Sequence, residues 1–454
     1  MDQNVQSRLP AMSGREAALR VLLDVSENNA YANISIKRIF GAHSISPEDR
    51  RLATEIAYGT LNWQMKLDFY IKPYLRSAIK EQPITEILRM SVYQILYLDR
   101  VPVWSVVDEA VKLTYALGFG QGLAGFVNSI LRKVADQKDN LPQPDRRENA
   151  VVWMAVEYSM PEWIIRLWNG QLGEEATLAL LQQPQPKNVC IYANPMKMTP
   201  DELAALLTER EQQYQRGRIW PEAFLVEGLG DVAQDEAFTS GAYHIQGQAS
   251  LWAASLVGAK PGMKVLDACA APGGKTLFMG CSTQDECEID AWDIHQHRVG
   301  LIQAALHRSG LKKVTPRVRD ARELEKNEET YDAVLLDAPC SGLGTVLNRP
   351  ELKYRMTRAD IAAMGAEQIR LLNTCARRVR VGGVLVYATC TINHEENRDR
   401  VAAFLREWPE FRLDMPAELL PPGVDTARID NGLQLLPSTD GCDGFFAARL
   451  VRRV

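Results

Sequence analysis

The stretch Lys264–Thr276, KVLDACAAPGGKT, decides the fold. It reads as a short apolar strand, a turn at a glycine pair and the start of a helix. Glycines at such a turn let the backbone approach a ligand closely. The helix start presents free N–H groups to an anion, and Lys275 adds positive charge. The pattern is neither G-x-G-x-x-G nor a Walker A loop, which disfavours a dinucleotide pyrophosphate or a nucleoside triphosphate. A small carboxylate-bearing nucleoside such as S-adenosylmethionine fits better. A glycine turn needed only for packing is the competing reading.

Beyond this turn, apolar strands alternate with helix-compatible segments. EIDAWD (288–293), VTPRVRD (314–320), YDAVLLD (331–337) and GVLVYAT (383–389) are separated by segments such as HRVGLIQAALHRSG (297–310) and DIAAMGAEQIRLLNTCARRV (360–379). The alternation predicts a Rossmann-like α/β domain over 236–454 with a mostly parallel sheet. LQLLP (433–437) and GFFAARLV (444–451) are suited to antiparallel strands at one side. Asp267, Asp293, Asp320 and Asp337 close four successive strands. Asp293, about 19 residues after Gly274, is placed to accept hydrogen bonds from ribose hydroxyls. Asp320 suits an adenine amino group. Buried carboxylates are costly unless paired, so four at one sheet edge are hard to attribute to packing. For any single one, a capping or turn-forming Asp is the alternative.

Two thiols reach the same edge. Cys340 lies in VLLDAPCSGLGT (334–345) and Cys390 in VLVYATCT (384–391), each just past a strand. Either alone reads more readily as a buried structural cysteine. Beside the acids and the glycine loop, the pair points to covalent catalysis, which needs a thiol activated by its surroundings. Alkylation at cytosine C5 needs such a thiol. A thiolate adding to C6 makes C5 enamine-like, so that C5 takes a methyl group; a base then removes the C5 proton and the thiol is eliminated. The cytosine must sit unstacked in a pocket. Asp337 can hold its N3/N4 edge or protonate N3, and a second thiol can accept the proton or assist release. Spacing does not decide which cysteine attacks. Cys340 even carries the preceding proline, Pro339, seen in the motif of cytosine-5 DNA methyltransferases.

Upstream, residues 12–140 read as all helix after a polar tail over 1–11. PITEILRMSVYQILYL (83–98) places Ile84, Ile87, Leu88, Val92, Ile95 and Leu96 on one helical face. Ser46-Pro47-Glu48-Asp49 and Ser105 with Asp108 read as helix starts. A polar link (135–149) leads to an expected connecting α+β subdomain over 150–235, with helices WIIRLWNGQL (163–172) and DELAALLTEREQQY (201–214) and strands VCIYAN (189–194) and AFLVEG (223–228). The net charge of −5 excludes a broadly basic nucleic-acid binder, but local patches can still meet phosphates. Residues 1–140 hold 17 basic and 15 acidic side chains, so the acidic excess lies further on. Lys37, Arg38, Arg50, Arg51, Arg132 and Lys133 are candidate phosphate contacts, with ordinary solvated faces as the alternative. A polar start, no long apolar run and eight scattered cysteines predict a cytoplasmic protein without disulfides. No metal is expected: Cys281 and Cys287 lack zinc-knuckle spacing and a second ligand pair, although His295 and His297 are residues that can in principle bind one.

DACAAPGGKT (267–276), DAPCSGLGT (337–345) followed by RPELKYR (349–355), YATCT (387–391), EEN (395–397) and DGCDGFFAARL (440–450) resemble the motifs of the Sun (Fmu, Nop2-like) family of RNA cytosine-5 methyltransferases. SPEDRRLATEIAYGTL (46–61), VDEAVKLTYALG (107–118) and GFVNSILRKV (125–134) resemble the NusB-like RNA-binding domain that bacterial ribosomal RNA enzymes of this family carry. The resemblance implies a multi-domain enzyme that methylates small-subunit (16S) ribosomal RNA, or an early assembly intermediate of that subunit, as a monomer. S-Adenosylmethionine would be the donor. Cys390 would be the nucleophile and Cys340 the cysteine assisting release. Cys269, Ala270, Ala271, Pro272, Gly273, Gly274 and Lys275 would form the cofactor loop, with Asp293, Asp320 and Asp337 as cofactor-contacting acids. Arg349 and Pro350 would shape the RNA side. Ala388 and Thr391 stand where the family often has Ser. A transfer RNA substrate, or a non-catalytic RNA-binding or antitermination role, are the alternatives.

Overall fold

The computed structural model describes residues 11–230, 232–324 and 329–453. The expected polar tail lies, but for its last residue, outside them. The chain forms two compact units, Met1–Gln182 with Val346–Arg355, and Gln183–Thr345 with Met356–Val454. The stretch 150–235, read from the sequence as one connecting subdomain, is divided between them.

The first unit is helical: α1 (Gly14–Asn28), α2 (Ala32–Ala42), α3 (Pro47–Asn62), α4 (Gln64–Ile71), α5 (Gln82–Tyr97), α6 (Val103–Ala116), α7 (Gln121–Asp136), α8 (Ala150–Glu157), α9 (Glu162–Leu172) and α10 (Glu174–Leu181). The expected face of α5 is buried at Ile84, Ile87, Leu88, Val92 and Ile95. Ser46 caps α3 by accepting a hydrogen bond from the Asp49 N–H, with Pro47 at the first position. The expected cap at Ser105 is not formed. Pro102, extended at φ −63° and ψ 133°, starts α6 directly after itself, and Ser105 falls inside the first turn. In Val346–Arg355, Arg349 is exposed and Pro350 is buried. The Glu351 carboxylate accepts from the Ala32 N–H at 3.3 Å, and Lys353 donates to the Asn62 carbonyl at 2.8 Å. Burial lowers the Lys353 ammonium to about 7.

The second unit holds two sheets. The smaller is antiparallel, in the order β2 (Tyr214–Arg216), β3 (Ala223–Glu227), β1 (Asn188–Ala193), β4 (Tyr243–Ile245). Helix α11 (Pro200–Glu209) lies between β1 and β2 in sequence and is closed by a Thr199–Glu202 capping box. The larger sheet comprises β5 (Lys264–Asp267), β6 (Glu288–Asp293), β7 (Val314–Val318), β8 (Tyr331–Asp337), β9 (Val379–Thr389), β10 (Phe411–Leu413), β11 (Leu433–Leu435) and β12 (Phe445–Arg452). Its order is β10-β12-β9-β8-β5-β6-β7, with β11 paired to β12. Strands β5 to β9 are parallel, and β12 runs antiparallel to β9. The helices of this unit include α12 (Gln248–Ser255), α13 (Gly274–Ser282), α14 (Gln296–Ser309), α15 (Arg358–Arg377) and α16 (Arg398–Glu407).

Side chains alternate across a strand, so both faces of the large sheet are filled. Val265, Ala333, Leu335, Val384 and Val386 enter one core, whereas Leu266, Val334, Leu336, Leu385 and Tyr387 enter the other. This is why β8 and β9 read as unbroken apolar runs. The strand order reverses at β5, with β6 and β7 on one side and β8 and β9 on the other. Ligands of open α/β sheets bind at such a switch point, beyond the carboxyl ends of the strands. Among the described residues no helix is long and apolar enough to cross a membrane.

Candidate active site

The glycine loop leaves β5 at the switch point. Its backbone is tied to both neighbours: the Ala268 N–H donates to the Leu335 carbonyl at 2.9 Å, and the Ala270 N–H to the Trp292 carbonyl at 2.8 Å. Gly273, with φ +103°, then turns the chain into α13. A side chain is strained there, which explains the glycine. The peptide between Ala271 and Pro272 is cis. Thr276 anchors the helix start by donating to Asp267 Oδ2 at 2.6 Å, and Lys275 Nζ donates to Asp337 Oδ2 at 2.6 Å. Burial alone would lower the Lys275 ammonium, but the charges of Asp337 and Asp267 hold it above its usual range.

These groups line a cleft of 140 Å³ that includes Asp267, Cys269, Ala270, Ala271, Pro272, Gly274, Lys275 and Asp337. Gln246 and Ser250 line it too, and the sequence did not single them out. Asp267 Oδ1 and Gln246 Oε1 are buried acceptors without a hydrogen-bond partner. Buried polar atoms of that kind are rare, and two on one cleft fit a ligand bearing an ammonium or hydroxyl groups. Asp293 closes β6 as expected, whereas β7 stops at Val318 and Asp320 lies two residues beyond it; neither lines this cleft. Asp293 accepts from the His295 N–H at 2.9 Å and lies 3.4 Å from Arg298 Nη1. Asp320 is gripped by the Arg322 guanidinium at 2.6–3.0 Å, which holds its carboxyl below the usual range.

Burial raises Asp267 to about 7, against the lowering effects of the Thr276 hydroxyl and Lys275. Between its ordinary value and 7, the folded chain holds a proton that the unfolded chain has released. The associated stability is present at low pH and is lost as pH rises through about 7. Asp267→Asn removes this titration. Relative to that variant, the cofactor-free parent should lose roughly 4 kcal/mol between pH 4 and 8. Urea unfolding of both proteins across that range checks it; a pH-independent difference would refute it.

Cys340 and Cys390 converge. Both are half-buried, and their sulfurs lie 3.3 Å apart. The shared hydrogen bond, burial and the charge of Glu396 push the Cys340 thiol well above its ordinary range. Cys390 instead lies within the field of the Lys275 ammonium. Burial also pushes up the Cys269 thiol, which argues against a third nucleophile. The loops are clamped by backbone: the Gly344 N–H donates to the Cys390 carbonyl at 3.1 Å, and the Gly444 N–H to the Gly344 carbonyl at 2.8 Å. Among the described residues no group of three His, Cys, Asp or Glu side chains is placed to hold a metal ion.

Residues 254–451 match the family described as 16S rRNA methyltransferase RsmB/F, and residues 12–136 match the NusB family. "Probable ribosomal RNA small subunit methyltransferase B" of Bacillus subtilis is 34% identical, covering 97% of this chain and 99% of its own. Ribosomal RNA small subunit methyltransferase B of Thermus thermophilus is 32% identical over 96% of this chain and 97% of its own. The crystal structure of PH0851 superposes with a TM-score of 0.83 at 27% identity, covering 98% of this chain and 100% of that one. Relatives more than 30% identical run nearly the full length of both the helical and the sheet-bearing parts, and so the chain belongs to the RsmB/F family of 16S rRNA methyltransferases and carries a NusB-family domain in its helical unit.

Proposed function

We propose that this chain transfers a methyl group from S-adenosylmethionine to C5 of a cytosine in small-subunit ribosomal RNA, through a covalent bond between Cys390 and C6. The observation that carries this reading is the 3.3 Å approach of two thiols beside the lysine of the glycine loop. The RNA substrate rests on the names of the relatives.

When bound, S-adenosylmethionine supplies an electrophilic methyl group. The loop Cys269–Lys275 would cradle it, with the oxygens of Asp267 and Gln246 placed to accept from its ammonium. Asp293 and Asp320, at the ends of the neighbouring strands, would reach its ribose and adenine only beyond that cleft, Asp320 by exchanging its Arg322 partner. Lys275 favours the thiolate of Cys390, because an adjacent cation lowers a thiol's cost of ionisation. That thiolate adds to C6 while Asp337 holds the N3/N4 edge. After C5 is alkylated, solvent water takes its proton as the base, the C5–H electron pair restores the C5–C6 double bond, and the bond between sulfur and C6 breaks to return the Cys390 thiolate. Cys340 remains a thiol and donates a hydrogen bond to the departing sulfur, which stabilises the charge developing there.

On the RNA side, Lys37, Arg51, Arg132 and Lys133 are exposed and available to phosphates. Arg38 pairs with Asp24 at 2.7 Å, and Arg50 donates to the Ile45 carbonyl over the Phe40 ring, so these two serve the fold first. Bisulfite sequencing of ribosomal and transfer RNA, from cells with and without the gene, tests the reading. One cytosine of 16S RNA should lose its protection without the gene. An unchanged 16S pattern, or a lost site in transfer RNA, overturns it.

A further inference from the structure

One buried carboxylate joins the two thiol loops. Glu396 is fully buried, just ahead of α16. Its Oε1 accepts from the Ser341 N–H at 2.8 Å and from Gln368 Nε2 at 3.2 Å. Its Oε2 accepts from the Ser341 hydroxyl at 2.6 Å, the Asn393 amide at 3.1 Å and the Thr391 hydroxyl at 3.5 Å. Ser341 directly follows Cys340, and Thr391 directly follows Cys390. The two hydroxyls also meet each other at 2.8 Å. Gln368 uses the same nitrogen to hold the Pro339 carbonyl at 2.9 Å, so the Cys340 loop is gripped on both sides.

A buried carboxylate persists only when its acceptor sites are filled, and here the donors come from both loops. Asn397 adds a second clasp on the Cys390 side, accepting from the Thr389 hydroxyl at 2.5 Å and donating to the Thr391 carbonyl at 2.9 Å. Glu396 itself does not touch the sulfurs.

We propose that Glu396 is a positioning residue that sets the distance between Cys340 and Cys390 by hydrogen-bonding the residue after each. This deepens the proposed function and rests on it. An amide in place of the carboxylate turns one acceptor oxygen into a donor. Whichever side it takes, it faces an N–H of Ser341 or of Asn393, so one loop is released. A displacement near 1 Å at reacting groups costs on the order of 100-fold in rate.

The test uses the full-length Glu396→Gln protein. Its kcat for RNA methylation should fall on the order of 100-fold, with the KM for RNA and the affinity for S-adenosylmethionine unchanged. Phenylarsine oxide, which bridges two adjacent thiols, should bind the parent through this pair and lose that binding in Cys340→Ser. Glu396→Gln should bind the arsenical at least about tenfold more weakly, as expected when a second linked contact no longer reaches. Ser341→Ala and Thr391→Val keep the carboxylate, remove one donor each, and should show the same two losses in smaller degree; they carry the test if Glu396→Gln does not fold. A kcat within about threefold of the parent, the range of an ordinary neutral substitution, overturns the proposal. So does a lowered kcat with parent-like arsenical binding. If the parent itself fails to methylate RNA, or Cys390→Ser still does so, it is the proposed function that fails.

Discussion

Cys390→Ser is expected to lose RNA methylation by roughly 10,000-fold or more, the scale seen when a covalent nucleophile is removed. It should also form no covalent complex with RNA. Cys340→Ser should lose turnover while still attacking, and should therefore accumulate a protein–RNA adduct stable to denaturing electrophoresis. The expectation rests on the charges around the pair. Cys390 lies in the field of the Lys275 ammonium, which favours a thiolate. Cys340 is held as a thiol by its hydrogen bond with Cys390 and by burial, and the charge of Glu396 acts in the same direction. At 3.3 Å it is a hydrogen-bond donor to whatever charge develops on Cys390. Serine at 340 is a poorer acid and donates less well to a leaving thiolate, so release slows more than attack. Adducts formed by Cys390→Ser, and absent from Cys340→Ser, would reverse the two roles.

Gly344→Ala is the second large effect. A Cβ at Gly344 would sit well inside contact distance of the Gly444 carbonyl oxygen and 2.8 Å from the Cys390 carbonyl oxygen. Both obstacles are backbone, so no rotamer change relieves the clash. The Cys340 loop, the end of β9 and the turn before β12 must separate. Overpacking of this kind costs about 1–3 kcal/mol of stability. Because the hydrogen bond from Gly344 to Cys390 breaks as well, kcat should fall on the order of 100-fold or more. Thermal melting beside single-turnover methylation separates the two losses. Parent-like turnover would mean that the loop spacing does not matter to the chemistry.

Local patterning was enough for the elements. The helical spacing in α5, the cap at Ser46 and the glycine turn after β5 are read within a few residues and stand as expected. It misplaced the start of α6, because a serine and an acid three residues apart look the same whether or not a proline has already begun the helix. Asp267, Asp293 and Asp337 were legible at their strand ends for the same reason, since each closes a largely apolar run; Asp320 follows the more polar VTPRVR, and β7 stops two residues before it. The present partners of these acids were not legible, since Asp320 is gripped by Arg322 and Asp337 by Lys275.

Glu396 and Gln246 show where reading along the chain stops. Glu396 lies in the EEN motif, yet nothing in its spacing assigns it a partner; its donors come from residues 341, 368, 391 and 393. Gln246 has no motif signal, and only its orphaned oxygen at the cleft marks it.

Strand periodicity, turn chemistry and motif content were sufficient for an α/β domain with a glycine loop after its first strand and two cysteines just past later strands, because those signals are local. Which thiol faces a cation and which an anion belongs to the folded chain. Cys340 and Cys390 are fifty residues apart in sequence, and they meet because β8 and β9 pair in parallel with Asp337 opposite Ala388. That register brings both loops off the same edge, beside Lys275 on one side and Glu396 on the other. No pattern along the chain encodes it, because the register follows from packing both faces of the sheet at once.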